Sequence, residues 1–484
     1  MTSGALFTDL YQLTMACGYW QAGVAERHAV FHLYYRSNPF GGGYAVAAGI
    51  GPALEYLRDF RFTSDDLAFL ATLAGDDGTP LFPRAFLDTL GGLRLTCDID
   101  LVPEGTVVFP HEPIVRVRGP ILQAQLVETA LLNLVNFSTL IATKAARVAQ
   151  AANGEPVLEF GLRRAQGPDG ALSASRAAYI GGCDATSNVL AGRQFGIPLR
   201  GTHAHSWVLL FGDEQEAFDL YAEAMPNNVV LLVDTYDTLD GVRRAIRTGE
   251  ALRRAGHPLL GIRLDSGDLA YLSREARAIL DAAGFHDTRI LASNDLDEET
   301  LTSIRQQGGR VDTWAVGTRL VTGDGQGALG GVYKLSAAQG EDGRWEHRVK
   351  VSEQAAKVNT PGCLQVRRYR AGSEFVGDAI YDTLAGEPAA ELTIVDVADP
   401  TRRKRLGSEL AWEELLVPAF RGGELVYRQP ALPQIRDRVR EQLAGFHAGV
   451  KRFRNPHPYP AGLESRLHEH RTRLLLEARG LPVD

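Results

Sequence analysis

The sequence predicts an α/β protein, a parallel TIM-like barrel beside an α+β domain, and three observations carry that prediction. From about residue 155 to 335, short apolar runs alternate with longer amphipathic stretches, the pattern of parallel strands joined by crossover helices. Glycine, acidic and hydroxyl residues collect directly after those runs, where a parallel barrel keeps its chemistry. At 484 residues the chain exceeds one compact unit of average size, so the barrel needs an accessory part.

Taken in order, residues 25–125 mix strand-like alternation, as in AVFHLYYR (29–36) and TVVFPHEPIVRVRGPI (106–121), with loops such as NPFGGGYA (38–45), which predicts an α+β domain. The mostly apolar stretch 126–152 predicts one or two helices leading into the barrel. Strands are expected at 157–160, 197–199, 229–233, 260–264, 289–292 and 314–316, giving at least six β/α units. Helices are expected between them, as at 213–225 and 268–284, where apolar positions recur at helical spacing. Beyond 335 come strand-like pieces, then charged helical stretches near 433–452 and 463–478. The expected divisions are 1–150, an N-terminal α+β domain with connecting helices; 151–335, the barrel; and 336–484, a C-terminal segment ending in helices.

Composition narrows the function. With 45% apolar, 23% charged and 8% aromatic residues, the chain reads as globular rather than disordered or fibrous. A net charge of −8 argues against a nucleic-acid partner, which is usually met by a basic patch. No basic leader precedes an apolar core at the N-terminus, and no uninterrupted apolar run approaches the roughly 20 residues of a bilayer span, so no membrane association and a cytoplasmic location are expected. Cys17, Cys97, Cys183 and Cys363 are isolated from one another and fit neither a zinc knuckle nor a disulfide framework; they read as reduced, buried thiols.

The run ends supply Glu159-Phe160-Gly161-Leu162-Arg163, Gly201-Thr202-His203-Ala204-His205, Asp234-Thr235-Tyr236-Asp237, Arg263-Leu264-Asp265-Ser266-Gly267-Asp268, Ser293-Asn294-Asp295 and Gly317-Thr318-Arg319. Each also has a bland reading, because Asp, Ser and Thr cap helices and glycine makes turns. Six such ends in succession point to a site. His203 and His205 are open to three readings: a metal-ligating pair of a barrel metallohydrolase, structural histidines beside Trp207, or one catalytic histidine, His205, oriented by a carboxylate such as Asp234. The metal reading lacks further histidines at strand ends, His257 and His286 lying in helix-to-strand loops on the opposite side. Gly317 and Thr318, followed by Arg319 and GDGQGALGGVYK (323–334), suggest phosphate binding, although the string is neither a GxxxxGK[ST] loop nor a GxGxxG fingerprint and would equally serve as a hairpin. Arg36, Arg163 and Arg263 beside loops or strand ends imply a polyanionic ligand, and Asp265 and Asp268 would suit Mg²⁺.

The motifs TDLYQLTM (8–15), NPFGGGYA, EFGLRRAQ (159–166), GGCDATSNVLAG (181–192), GTHAHSW (201–207), RLDSGDL (263–269), SNDLDE (293–298), VGTRLVT (316–322) and GGVYKL (330–335), in this order, closely resemble the nicotinate phosphoribosyltransferase family. The resemblance implies a type II phosphoribosyltransferase fold, an irregular seven-stranded α/β barrel with an open-faced sandwich domain to which the C-terminal segment returns. It implies a homodimer with shared active sites. It also implies the joining of nicotinate to phosphoribosyl pyrophosphate, coupled to ATP hydrolysis, in NAD salvage. Carried over by residue, it places nicotinate between Phe160 and the partner's Tyr11, and Arg163, Arg263 and Thr202 near the ring carboxylate and ribose-phosphate. Gly317, Thr318 and Ser293 or Asn294 would meet the 5′-phosphate. Arg36, with Lys334 and Lys350, would meet the pyrophosphate, Asp265 its Mg²⁺, and His205 would be the phosphorylated histidine with Asp234 fixing its ring. His203 stands where relatives usually carry an apolar residue and so competes as acceptor. Within the fold the alternative is nicotinamide phosphoribosyltransferase, to which Asp184 would point; outside it stand the metallohydrolase and a non-catalytic binding barrel. A quinolinate enzyme is expected to be much shorter.

Overall fold

The computed structural model describes residues 4–352 and 358–482. They form two compact units: one runs to Leu140 and resumes at Ala328, the other is Ile141–Gly327.

The first unit contains two large sheets. In one, seven strands run in the order Trp345–His347, Gly331–Gln339, His28–Tyr35, Val115–Pro120, Asp98–Leu101, Val417–Arg421 and Glu424–Leu425, each antiparallel to its neighbour. The strand His28–Tyr35 is buried at every position after its first residue, so both its faces are covered and its sequence reads as a near-continuous apolar run. The other sheet has six strands from the C-terminal region, with Glu374–Asp382 and Ala461–Glu464 as its parallel pair. The helices Leu432–Ala444 and Ser465–Ala478 follow. The first is shorter than its charge pattern suggests. It stops before Gly445, whose missing side chain leaves room for the Phe375 ring, and the chain then turns through 447–451.

The stretch 126–152 forms Glu128–Ala152, preceded by Ile121–Leu126. By length and apolarity this run matches a bilayer span, yet 61% of its most apolar window is buried. Its polar groups are held inside as well: Lys144 and Arg147 pair with the buried Glu298 at 2.8 and 2.7 Å. It is therefore a core helix of this fold.

In the second unit a parallel sheet has the order Ala185–Thr186, Val157–Glu159, Thr313–Val316, Arg289–Ala292, Gly261–Leu264 and Val230–Leu232. Five of these strands lie on the apolar runs read from the sequence; Ala185–Thr186 does not. The expected strand at 197–199 is a correction. Among the described residues this segment forms only one bridge, Leu199 to Thr186, with Thr186 N–H donating to Pro198 O and Arg200 N–H to Thr186 O. Pro198 has no N–H and cannot continue a ladder. Backbone pairing consequently gives six strands in an open order, and the seventh stave of the expected barrel is not formed as a strand. Connecting helices begin on side-chain caps: Asn188, Asp213, Asp237, Asp268 and Asp297 each accept from a backbone N–H in the first turn. For Asp237 and Asp268 the bland reading of a strand-end carboxylate thus applies directly.

Candidate active site

At the carboxyl end of Gly261–Leu264, Arg263 is fixed by three acceptors. Its Nε donates to Ser293 Oγ at 2.8 Å, one terminal nitrogen to Thr202 Oγ1 at 3.0 Å and the other to Asp265 Oδ1 at 3.0 Å. Ser293 also donates to Asp265 Oδ1. Residues from two strand ends and from the segment after 198–200 are locked together in this way, and the guanidinium lies 5.8 Å from the centre of the Phe160 ring. A planar fork held at its base and side retains N–H groups for an anion in a defined plane. Phe160 packs on Leu158, Ala185, Leu291 and Ala315, so its ring rests on the apolar interior of the sheet.

His205 opens the helix His205–Phe211 and is half-buried. Its Nδ1 lies 3.1 Å from Thr235 Oγ1, while Nε2 faces two carboxylates, Asp265 Oδ2 at 3.7 Å and Asp234 Oδ1 at 4.0 Å. The Asp234 side chain is wholly buried. Its Oδ2 accepts from Asp265 N–H at 3.0 Å and Ser266 Oγ at 2.6 Å, leaving Oδ1 buried without a hydrogen-bond partner among the described residues. Asp234 therefore latches the neighbouring strand end and turns its bare oxygen toward the imidazole. Thr235 and Ser266 were not singled out in the sequence; adjacency to Asp234 and Asp265 was the only available sign. Another such group is Glu214, whose carboxyl is pushed up to about 7 by burial, with Asp213, Asp234 and Asp237 adding and Arg244 opposing.

His203 has a different environment. It is buried, its Nε2 accepts the Leu232 N–H at 3.1 Å, its Nδ1 lies 3.3 Å from Ala204 O, and its ring sits edge-on to Tyr221 at 4.8 Å. Burial pushes its pKa down to about 4. This imidazole is neutral at physiological pH and its Nε2 lone pair is occupied by a backbone N–H. Among the described residues no group of three or more His, Cys, Asp or Glu side chains is arranged to hold a metal ion. Asp184, the residue that would mark a nicotinamide enzyme, accepts the Val157 N–H at 2.9 Å, at the amino end of that strand and away from Phe160.

The other expected residues fall in two groups. Gly317 and Thr318 follow Thr313–Val316, and Arg164 donates to Thr318 Oγ1 at 3.1 Å. Asn294, exposed with a φ of 92°, and Arg163, exposed on the turn Leu162–Arg164, lie at neighbouring strand ends. These belong to the second unit. Tyr11, on the helix Leu10–Gln21, Arg36, just after His28–Tyr35, Lys334, opposite His32, and Lys350 belong to the first. Burial lowers the Lys334 pKa; the Glu128 carboxylate opposes that shift, and the Arg36 and Lys350 charges add to it. Arg36 Nε is buried without a hydrogen-bond partner among the described residues.

A parallel α/β sheet with a locked arginine, an acid-flanked imidazole and glycine turns at its strand ends defines an α/β enzyme acting on an anionic substrate. A family model described as the nicotinate phosphoribosyltransferase N-terminal domain matches residues 6–136, and one described as its C-terminal domain matches 365–471. The chain is 43% identical over 481 residues to nicotinate phosphoribosyltransferase of Bacillus subtilis (strain 168), covering 97% of this chain and 96% of that one. It is 39% identical over 531 residues to nicotinate phosphoribosyltransferase 2 of Arabidopsis thaliana, covering 96% and 93%. The crystal structure of human nicotinic acid phosphoribosyltransferase superposes with a TM-score of 0.83 at 32% identity, covering 96% and 99%. The chain belongs to the nicotinate phosphoribosyltransferase family.

Proposed function

We propose that this enzyme joins nicotinate to phosphoribosyl pyrophosphate, giving nicotinate mononucleotide and pyrophosphate in NAD salvage, and that ATP hydrolysis is coupled through a phosphate on His205. The observation that carries the reading is the Arg263 lock beside Phe160, within one strand end of an imidazole flanked by Asp234 and Asp265. Nicotinate stacks on Phe160, with Tyr11 of a second copy on its other face, and its carboxylate meets Arg163 or Arg263 with Thr202 beside them. Ser293, Asn294, Gly317 and Thr318 receive the 5′-phosphate. Arg36, with Lys334 and Lys350, neutralises the pyrophosphate, and the segment 198–203 takes the place of the barrel's seventh stave.

In the coupling step an imidazole nitrogen lone pair attacks the γ-phosphorus of ATP, the bond to ADP breaks, and Asp234 and Asp265 stabilise the positive ring. The pyridine nitrogen then attacks C1 of the ribose as pyrophosphate leaves through an oxocarbenium-like transition state. Water attacks the phosphorus of the phosphohistidine, the P–N bond breaks, and inorganic phosphate leaves, returning His205 to its free form. Positioning and charge neutralisation supply the catalysis, since nicotinate is already a nucleophile. Asp265 suits Mg²⁺ because its Oδ2, which accepts no hydrogen bond among the described residues, lies near His205. The ion would offset charge on the departing pyrophosphate.

Incubation with phosphoribosyl pyrophosphate, Mg²⁺ and nicotinate or nicotinamide, with and without ATP, tests the reading. Nicotinate mononucleotide is expected, with ADP formed and turnover raised by ATP; product from nicotinamide alone would overturn the substrate. Asp184 gives the nicotinamide reading no support, being held at the opposite end of its strand.

A further inference from the structure

We propose that Glu159 is a positioning residue whose buried carboxylate fixes the turn carrying Phe160 and Arg163 and, through Gly161, the neighbouring turn at Gly317. The inference rests on the nicotinate-transfer reading, in which those two turns meet the pyridine ring and the 5′-phosphate.

Glu159 ends the strand Val157–Glu159 in the interior of the sheet, with Thr186 on one side and Val316 on the other, and it is fully buried. A buried carboxylate is costly, and no salt bridge reaches this one among the described residues. What it has instead is three donors from three elements. Oε2 accepts from Ser175 Oγ at 2.8 Å and Thr186 Oγ1 at 2.6 Å, and Oε1 accepts the Gly161 N–H. The hydroxyls are themselves fixed: Asn188 Nδ2 donates to Ser175 Oγ at 3.1 Å, and Asn188 N–H donates to Thr186 Oγ1 at 3.0 Å. Ser175, Thr186 and Asn188 are all buried.

The third bond is the one that reaches the site. Gly161 stands between Phe160 and the turn Leu162–Arg164, so an acceptor fixed to its N–H sets the direction in which the chain leaves the strand. Gly161 has no room for a side chain, because a Cβ would lie 2.3 Å from Val321 and 3.0 Å from Gly317 O. The two turns are therefore in backbone contact, and Arg164 joins them again through Thr318 Oγ1 at 3.1 Å. One buried carboxylate thereby governs how far apart the ring-binding and phosphate-binding turns stand.

The test compares the unmodified chain with Glu159→Gln, Glu159→Ala and the double variant Ser175→Ala/Thr186→Val, by melting temperature and by kcat and KM for nicotinate and phosphoribosyl pyrophosphate. Gln can offer its carbonyl to Gly161 and its NH₂ to hydroxyls that rotate to accept, so both constants should stay within about threefold of the unmodified chain. Ala should raise the KM for nicotinate about tenfold or more while kcat moves less than about threefold, a split that general loosening of the fold would not give. Should Glu159→Ala fail to fold, the double variant, which keeps the Gly161 bond but frees the carboxylate from its other anchors, should raise the same KM about threefold or more. An unchanged KM in Ala, or in the double variant where Ala is unfolded, overturns the proposal, as does a Gln variant as damaged as Ala. Failure of the unmodified chain to form nicotinate mononucleotide overturns the transfer reading itself, and with it this role for Glu159.

Discussion

Two histidines a single residue apart carry opposite chemistry because of what each ring nitrogen meets. His205 has one nitrogen on a threonine hydroxyl and the other facing two carboxylates. His203 lends its lone pair to a backbone N–H inside an aromatic pocket, which favours a neutral ring. Replacing His205 with Ala should abolish ATP stimulation of turnover, and acid-labile phosphate from ATP should disappear from the chain. His203→Ala should keep that stimulation but lose about 1–3 kcal/mol of stability, the cost of leaving the Leu232 N–H unpaired, as read by denaturant titration. Neither contact was visible in the sequence. Gly-Thr-His-Ala-His names both rings, but only the fold decides which one faces Leu232 and which one Asp234.

At the scale of elements, legibility followed local chemistry. Runs such as 229–233 and 289–292 are bounded and rich in branched residues, and they became the strands Val230–Leu232 and Arg289–Ala292. Ile197 and Leu199 look similar, yet the proline between them limits the segment to a bridge. Ala185–Thr186 was hidden because a two-residue strand in Gly-Cys-Asp-Ala-Thr has no periodicity to read. The strand ends were legible as a set, whereas Ser266, Thr235 and Glu159 act through partners on other elements that no local pattern encodes. The same scale separates caps from chemistry. Asp237 accepts the Asp240 N–H at 2.9 Å as a helix cap, so Asp237→Ala should lower stability by about 1 kcal/mol while kcat for nicotinate transfer is unchanged; a large fall in kcat would give Asp237 a role it lacks here.

For the whole molecule, buried imidazoles contribute to the loss of stability in acid. Burial lowers His203 and His111 to about 4, and His32 lies well below its usual value for the same cause. A depressed folded-state pKa means that the stability these neutral rings support is fully present above about 6.5, their unfolded value, and is lost as pH falls through about 4. Melting temperature should accordingly be level above about pH 7 and fall steeply toward pH 4. A flat profile across that range would contradict the buried, neutral assignment.

His203 also sits where the parallel sheet would otherwise end. On one margin the segment 198–200 holds Thr186 through backbone bonds; a few residues later, at the opposite margin, an imidazole receives the Leu232 N–H. The seam of the sheet is thus fastened on one side by peptide groups and on the other by a titratable side chain, with His205 suspended two residues further on. Mild acid should open that fastening first, as a local event in which the Leu232 amide exchanges with solvent while the amides of Arg289–Ala292 stay protected. The loop that holds His205 would be released before the fold that supports it.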